Sequence, residues 1–256
     1  MEISAPPALR TAPSTWGNNT PPLIGLGMSS LVFKLGDDRV LKRPKTYPED
    51  GDLDTAYTNQ TNIDALTNEA DIYRRLGQHE GQHEGILQCF QITEHSIELA
   101  FANQGDLMKY MENNAQPTER VRAEWMRCLA DAFAYVHSCR VVVDDIHTAN
   151  ILIHNNRPKL SDFNQSFLLP LDTDMEHFSA NDTNPKIEIL HLGCVFYSIA
   201  VWSKFKYDYF DHKRWPNEDE LPNTDGILGG MIIRKCWTGE YGSMELLRKD
   251  VEASLR

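Results

Sequence analysis

Apolar positions recur along this chain with two different spacings, and the change from one to the other divides it. Residues 23–43, LIGLGMSSLVFKLGDDRVLKR, read as three strands joined by Gly-Met-Ser-Ser and Gly-Asp-Asp, both turn-forming. Residues 44–60 are polar and predict irregular chain. From 61 to 76, Ile63, Leu66, Ala70, Tyr73 and Leu76 fall three or four apart, as on one face of a helix, with Asn62 as its cap. Residues 86–102 supply two more strands. A Gly-Asp cap opens a helix over 105–113, and a long amphipathic helix follows over 119–138. Residues 187–202, IEILHLGCVFYSIAVW, are apolar nearly all round, which places a helix in the middle of a folded unit. Residues 232–237 and 244–255 read as helical, and residues 1–22, rich in Pro, Ser, Thr and Asn, as an extended lead-in. Strands with one helix, then mostly helices, predict an α+β arrangement of two lobes with a cleft between them.

Composition narrows the function classes. The 256 residues carry 25 Lys and Arg against 37 Asp and Glu, a net charge of −12. That acidity argues against nucleic acid or an anionic membrane as the main partner. It mildly favours basic protein substrates. The five cysteines are scattered with no CxxC pair, which predicts reduced core thiols and no metal site. The N-terminus has no apolar signal core, and no run of 18 apolar residues exists, so an intracellular, cytoplasmic protein without a membrane span is expected. The tandem QHEGQHEG at 78–85 reads as a lengthened surface loop rather than a metal site.

The chemistry concentrates in VVVDDIHTANILIHNNRPKLSDFNQS, residues 141–166. Asp145 precedes Asn150 by five residues, and Asp162-Phe163 follows after two short apolar stretches around Asn155-Asn156. This order suits phosphoryl transfer from a nucleotide: one carboxylate faces the incoming hydroxyl, while an amide and a second carboxylate hold Mg²⁺ on the phosphates. The segment resembles the HRDxxxxN catalytic loop and the DFG loop of eukaryotic protein kinases. Asp145, Asn150, Asp162 and Phe163 match, while Val143 stands for the His, Asp144 for the Arg and Asn164 for the Gly. Asn tolerates a left-handed backbone, so the last change is soft.

The resemblance extends over about residues 23–255, and the C-terminal IIRKCWTGEY looks most like small kinase-like proteins of filamentous fungi. It implies a bilobal protein kinase-like fold, with an N-lobe at 23–102 that is small and β-rich and a mainly helical C-lobe at 103–256, together one kinase domain. Gly25, Gly27, Ser30 and Val32 are similar to the Gly-rich loop GxGxxGxV, with Ser30 at the third Gly and Ile24 beside it as a nucleotide contact. Lys42 takes the place of the lysine on the α and β phosphates, and Glu69 that of its ion-pair partner. Leu99 falls at the gatekeeper, with Ala100 and Ala102 offering main-chain groups to an adenine. The resemblance assigns Asp145 to the acceptor hydroxyl, Asn150 and Asp162 to Mg²⁺, and ATP and Mg²⁺ as cofactors. His147 stands where Ser/Thr kinases place a Lys that touches the γ-phosphate. It is either a protonated contact to polyphosphate or a partner of Asp145 or backbone.

Asp144 would repel a phosphate that the family's Arg gathers, so phosphorylation of 165–186, at Ser179 or Thr183 for instance, is not expected to switch the protein on. The APE motif is absent before Glu188, and Gly242-Ser243 stands near its usual Arg partner. In the central helix, Glu188 replaces an Asp and His191 a Ser. Three readings follow: a protein Ser/Thr kinase; a pseudokinase scaffold without turnover; and a small-molecule phosphotransferase. The last rests on Asp145-Ile146-His147-Thr148-Ala149-Asn150, which also resembles the D-x-H-x-x-N loop of aminoglycoside and choline kinase-like enzymes.

Overall fold

The computed structural model describes residues 20–48, 51–78, 81–179 and 183–255. Most of the expected lead-in, and two residues of the QHEGQHEG loop, lie outside that set. The chain forms two compact units: residues up to Arg74 together with Gln88–Phe101, and Arg75–Leu87 together with Ala102 onward.

The first unit is built on an antiparallel sheet of β1 (Leu23–Leu26), β2 (Ser30–Leu35), β3 (Arg39–Pro44), β4 (Cys89–Ile92) and β5 (Ile97–Ala100), in the order β1-β2-β3-β5-β4. Alternation along β2 and β3 buries Leu31, Phe33, Val40 and Lys42. Helix α1 (Leu53–Leu76) contributes all but its last two residues to this unit and buries Leu66, Ala70, Ile72 and Tyr73.

Here the sequence reading needs correction. Residues 53–60 are helical, and Asn62 lies inside α1 rather than capping it. The cap is Asp52, whose carboxylate accepts from the Asp54 and Thr55 N–H groups. The first turns lack an apolar stripe, with Leu53 83% and Tyr57 76% exposed. Side-chain amides hold them instead: Asn59 both accepts from the Tyr47 N–H and donates to its carbonyl, and Asn62 donates to the Lys45 carbonyl.

The second unit is helical: α2 (Leu107–Asn113), α3 (Glu119–Ser138), α4 (Pro185–Val201), α5 (Tyr209–His212), α6 (Gly230–Thr238) and α7 (Met244–Ser254). As its composition predicts, α4 is buried along nearly its whole length. Gly193 lets α6 approach it, since a Cβ there would come within 2.6 Å of Cys236 Cβ. Two small ribbons complete the unit. Strand β6 (Val141–Val142) pairs with β9 (Phe167–Leu168), and β7 (Ile151–His154) pairs with β8 (Arg157–Leu160).

Asn155 and Asn156 turn the second ribbon with φ of 51° and 61°, a conformation that asparagine tolerates. Both are held by amides from the chain before α2. Asn103 bonds the side chain and N–H of Asn155, and Gln104 does the same for Asn156. All five cysteines are free, and no helix among the described residues is long and apolar enough to cross a membrane.

Candidate active site

In the first unit, Lys42 and Glu69 meet. Lys42 is central in β3, paired with Val32 on one side and Ile97 on the other, and its ammonium lies 2.6 Å from Glu69 Oε2. Both are buried, Glu69 completely. A charge taken from water is tolerated only against an opposite charge. The same sheet carries the glycine-bearing turn. At Gly25 a Cβ would press on Val32 Cβ at 3.1 Å, so the close pairing of β1 with β2 favours glycine. The turn closes with Gly27 N–H donating to the Ser30 carbonyl at 2.9 Å. Ser30 is itself buried as the first residue of β2, while Met28 at the tip is 83% exposed and Ile24 is exposed. Leu99 and Ala100 are buried at the end of β5. The Ala100 N–H already donates to the Gln88 carbonyl, so a base edge could meet only its carbonyl.

In the second unit, Ala102 directs its carbonyl to the Gly105 N–H, which leaves its own N–H as the group it could offer. The loop after β6 gathers Asp145, His147 and Asn150. Asn150 Nδ2 donates to Asp145 Oδ2 at 2.9 Å and to the Asp145 carbonyl at 3.0 Å. His147 Nε2 lies 3.1 Å from Asp145 Oδ1 and 3.2 Å from Oδ2. The Ala149 N–H donates to His147 Nδ1 at 3.1 Å, so that nitrogen is an acceptor and the ring proton is on Nε2, facing Asp145. His147 thus donates to Asp145 through Nε2 and accepts from the backbone through Nδ1. Its hydrogen bond is the main reason that the Asp145 carboxyl titrates below its usual range.

Asp144 behaves oppositely. It is half-buried, and burial, then the charge of Asp145, push its pKa up. Thr183 is fully buried, whereas Ser179 is exposed. Asp162 follows β8 with φ of 61°, and Phe163 beside it is completely buried. The left-handed residue of this turn is therefore Asp162. Asn164, for which the sequence suggested that conformation, does not adopt it.

Two supports of the loop were not legible as functional residues. Glu188, near the start of α4, accepts from the Val143 N–H at 2.6 Å through Oε1, and its Oε2 lies 2.8 Å from His137 Nε2. His137 closes the apolar face of α3, and a histidine in that position was the available signal. His191 is buried in α4 and accepts from the Tyr209 N–H at 3.2 Å, pinning the start of α5. Burial pushes its pKa down to about 4. On the same segment, Lys206 bonds Asp208 at 2.6 Å, and its charge also helps to hold Asp145 ionised. No sequence pattern pointed to it.

Set against known families, residues 23–204 match the model for the protein kinase domain. The chain belongs to the protein kinase family. Among curated kinases it is similar to human NUAK family SNF1-like kinase 2, 28% identical over 149 residues, which cover 51% of this chain and 24% of that protein. Human NUAK family SNF1-like kinase 1 is 26% identical over 177 residues, 62% of this chain and 24% of the relative. Mitogen-activated protein kinase kinase 7 of Arabidopsis thaliana is 27% identical over 154 residues, 59% and 48%. The matched regions thus span a quarter to a half of these kinases' own lengths.

Proposed function

We propose that this kinase domain transfers the γ-phosphate of ATP to a Ser or Thr hydroxyl of a protein, with Mg²⁺. The observation that carries the reading is the Asp145 carboxylate, kept ionised and oriented by His147 Nε2–H and Asn150 Nδ2. Such a group can orient an acceptor hydroxyl and take its proton as the phosphoryl group departs. Because the Asn150 amide nitrogen is spent on Asp145, its oxygen is the atom suited to Mg²⁺, with Asp162 as the second ligand. The left-handed Asp162 is the kind of local strain that persists where a side chain must be aimed. Lys42, kept in place by Glu69, would neutralise α- and β-phosphate charge. Gly25, Gly27, Ser30, Val32 and Ile24 would approach the nucleotide, and Leu99, Ala100 and Ala102 its base. When bound, Mg²⁺ supplies charge neutralisation at the phosphate oxygens. Catalysis of this kind is positioning and electrostatics, which the retained groups can provide without the missing APE.

A second reading, transfer to a small-molecule hydroxyl, is favoured by His147. Bonded to Asp145 and to the Ala149 N–H, its imidazole does not reproduce the lysine ammonium that a Ser/Thr kinase places at that position. The test is transfer of labelled γ-phosphate from Mg-ATP to basic proteins and to the chain itself, with wild type beside Asp145→Asn and Asp162→Asn. Label on protein that both substitutions abolish supports the kinase. Label on hydroxylated metabolites alone selects the second reading. ATP binding without transfer to either leaves a scaffold.

A further inference from the structure

Away from the residues assigned to catalysis, the second unit contains a cavity of about 330 Å³ between α3 and α7. That is the lower end of the size at which pockets take small organic ligands, about 300 Å³ and upward. Its wall combines the buried Val251 and the half-buried Cys128 with charged groups from both helices. A smaller cavity shares Cys128 and Asp131 and continues the surface past His83, the second histidine of the QHEGQHEG repeat. His83 stacks on Tyr135 at 4.6 Å and lies 3.0 Å from Asp131, so the repeat forms part of a wall.

The charges around this surface are nearly all matched. Arg248 bonds Glu245 at 2.8 Å and lies 3.8 Å from Asp131. Arg157 lies 3.3 Å from Glu124, and Lys159 donates to the Glu84 carbonyl. Arg127 differs. It lines the larger cavity without a carboxylate partner among the described residues, and because its Nε is buried a ligand in the cavity would meet the terminal guanidinium nitrogens. A guanidinium offers its donors in a fork that matches a carboxylate. Net protein charge of −12 would repel a diffuse anion, so a ligand here must reach the guanidinium directly and bring an apolar body to Val251.

We propose that the cavity between α3 and α7 binds a small organic carboxylate, its charge on Arg127 and its apolar part on Val251 and Cys128. The site is independent of the phosphotransfer reading. Cys128 is a built-in reporter, because it lines both cavities. The experiment compares, at low salt, the labelling of Cys128 in the full chain by two methanethiosulfonates of similar size, one ending in sulfonate and one in trimethylammonium. Labelling is read by peptide mass spectrometry, with benzoate as competing probe.

The sulfonate reagent is expected to react about tenfold faster than the cationic one, as a single near charge in a part-buried site implies. Arg127→Met should bring the ratio below one, since Glu124, Asp131 and Glu252 then outweigh Arg248, while Arg127→Lys preserves the preference. Benzoate should slow labelling saturably in wild type and not in Arg127→Met. A wild-type ratio at or below one overturns the site without reference to any variant, which covers a variant that fails to fold. A preference unchanged in Arg127→Met, or equal benzoate protection in both proteins, overturns it too.

Discussion

Lys42 with Glu69, and Asp145 with His147 and Asn150, are two ways of keeping a carboxylate charged. In the first unit the carboxylate is fully buried and a single ammonium at 2.6 Å compensates it. In the second the carboxylate is 44% exposed, and an imidazole N–H and an amide share it. The buried pair is rigid and intolerant, because removing either charge strands the other in a medium that cannot solvate it. The exposed loop is graded: each donor shifts the carboxylate somewhat, and water replaces part of what is lost. A fixed phosphate contact suits the first design, and a group that must exchange a proton with an acceptor suits the second.

The comparison breaks most visibly at the charges with no solvent. Lys42→Met should cost about 3–5 kcal/mol in urea unfolding, and Lys42→Met with Glu69→Leu should recover most of it. Equal losses in single and double variants would mean that the pair is not the compensated unit described. Glu188→Ala should cost about 3 kcal/mol, because it strips a buried acceptor from both the Val143 N–H and His137. Unchanged stability would remove Glu188 as the loop's anchor.

His191 gives the next effect, in pH. Its pKa is about 4 folded against an ordinary 6.5, so the unfolded chain binds the extra proton between those values. Stability from this group is complete above pH 6.5 and falls as pH drops toward 4, by up to about 3 kcal/mol. His191→Gln should flatten that window of the unfolding profile, and a slope identical to wild type would contradict the assignment. The smallest effect belongs to the loop itself. His147→Ala should let the Asp145 pKa rise toward its ordinary value, moving the acid side of a kcat/KM profile to higher pH with a few-fold loss at neutral pH, on the order of 1 kcal/mol. An acid limb that does not move would separate His147 from Asp145.

The parts of the molecule legible in the sequence were those where spacing and polarity coincide. Strands β1 to β3 and the buried α4 follow from a pattern of apolar positions, whereas the Lys42–Glu69 pair was legible only through the resemblance to protein kinases. The start of α1 was missed because Asp52 and the amides of Asn59 and Asn62 hold it, and such bonds leave no trace in hydropathy. At the loop, the sequence supplied Asp145, Asn150 and Asp162 but left two roles open for His147, whose bonds to Asp145 and to the Ala149 N–H no local pattern specifies. His137 and Lys206 act through contacts 51 residues away in one case and through the field of a neighbouring loop in the other. Neither distance is visible in a local pattern.

The Asn155–Asn156 turn has a consequence for the order in which the protein assembles. Asn150 and Asp162, the two residues proposed for Mg²⁺, stand just outside the ends of the β7–β8 ribbon, whose outermost pair is Ile151 and Leu160. A hairpin of this kind closes in about 1–10 μs, far faster than long-range docking. The separation of these two ligands is therefore set by a local event, early, with the Asn103 and Gln104 amides locking the register afterwards.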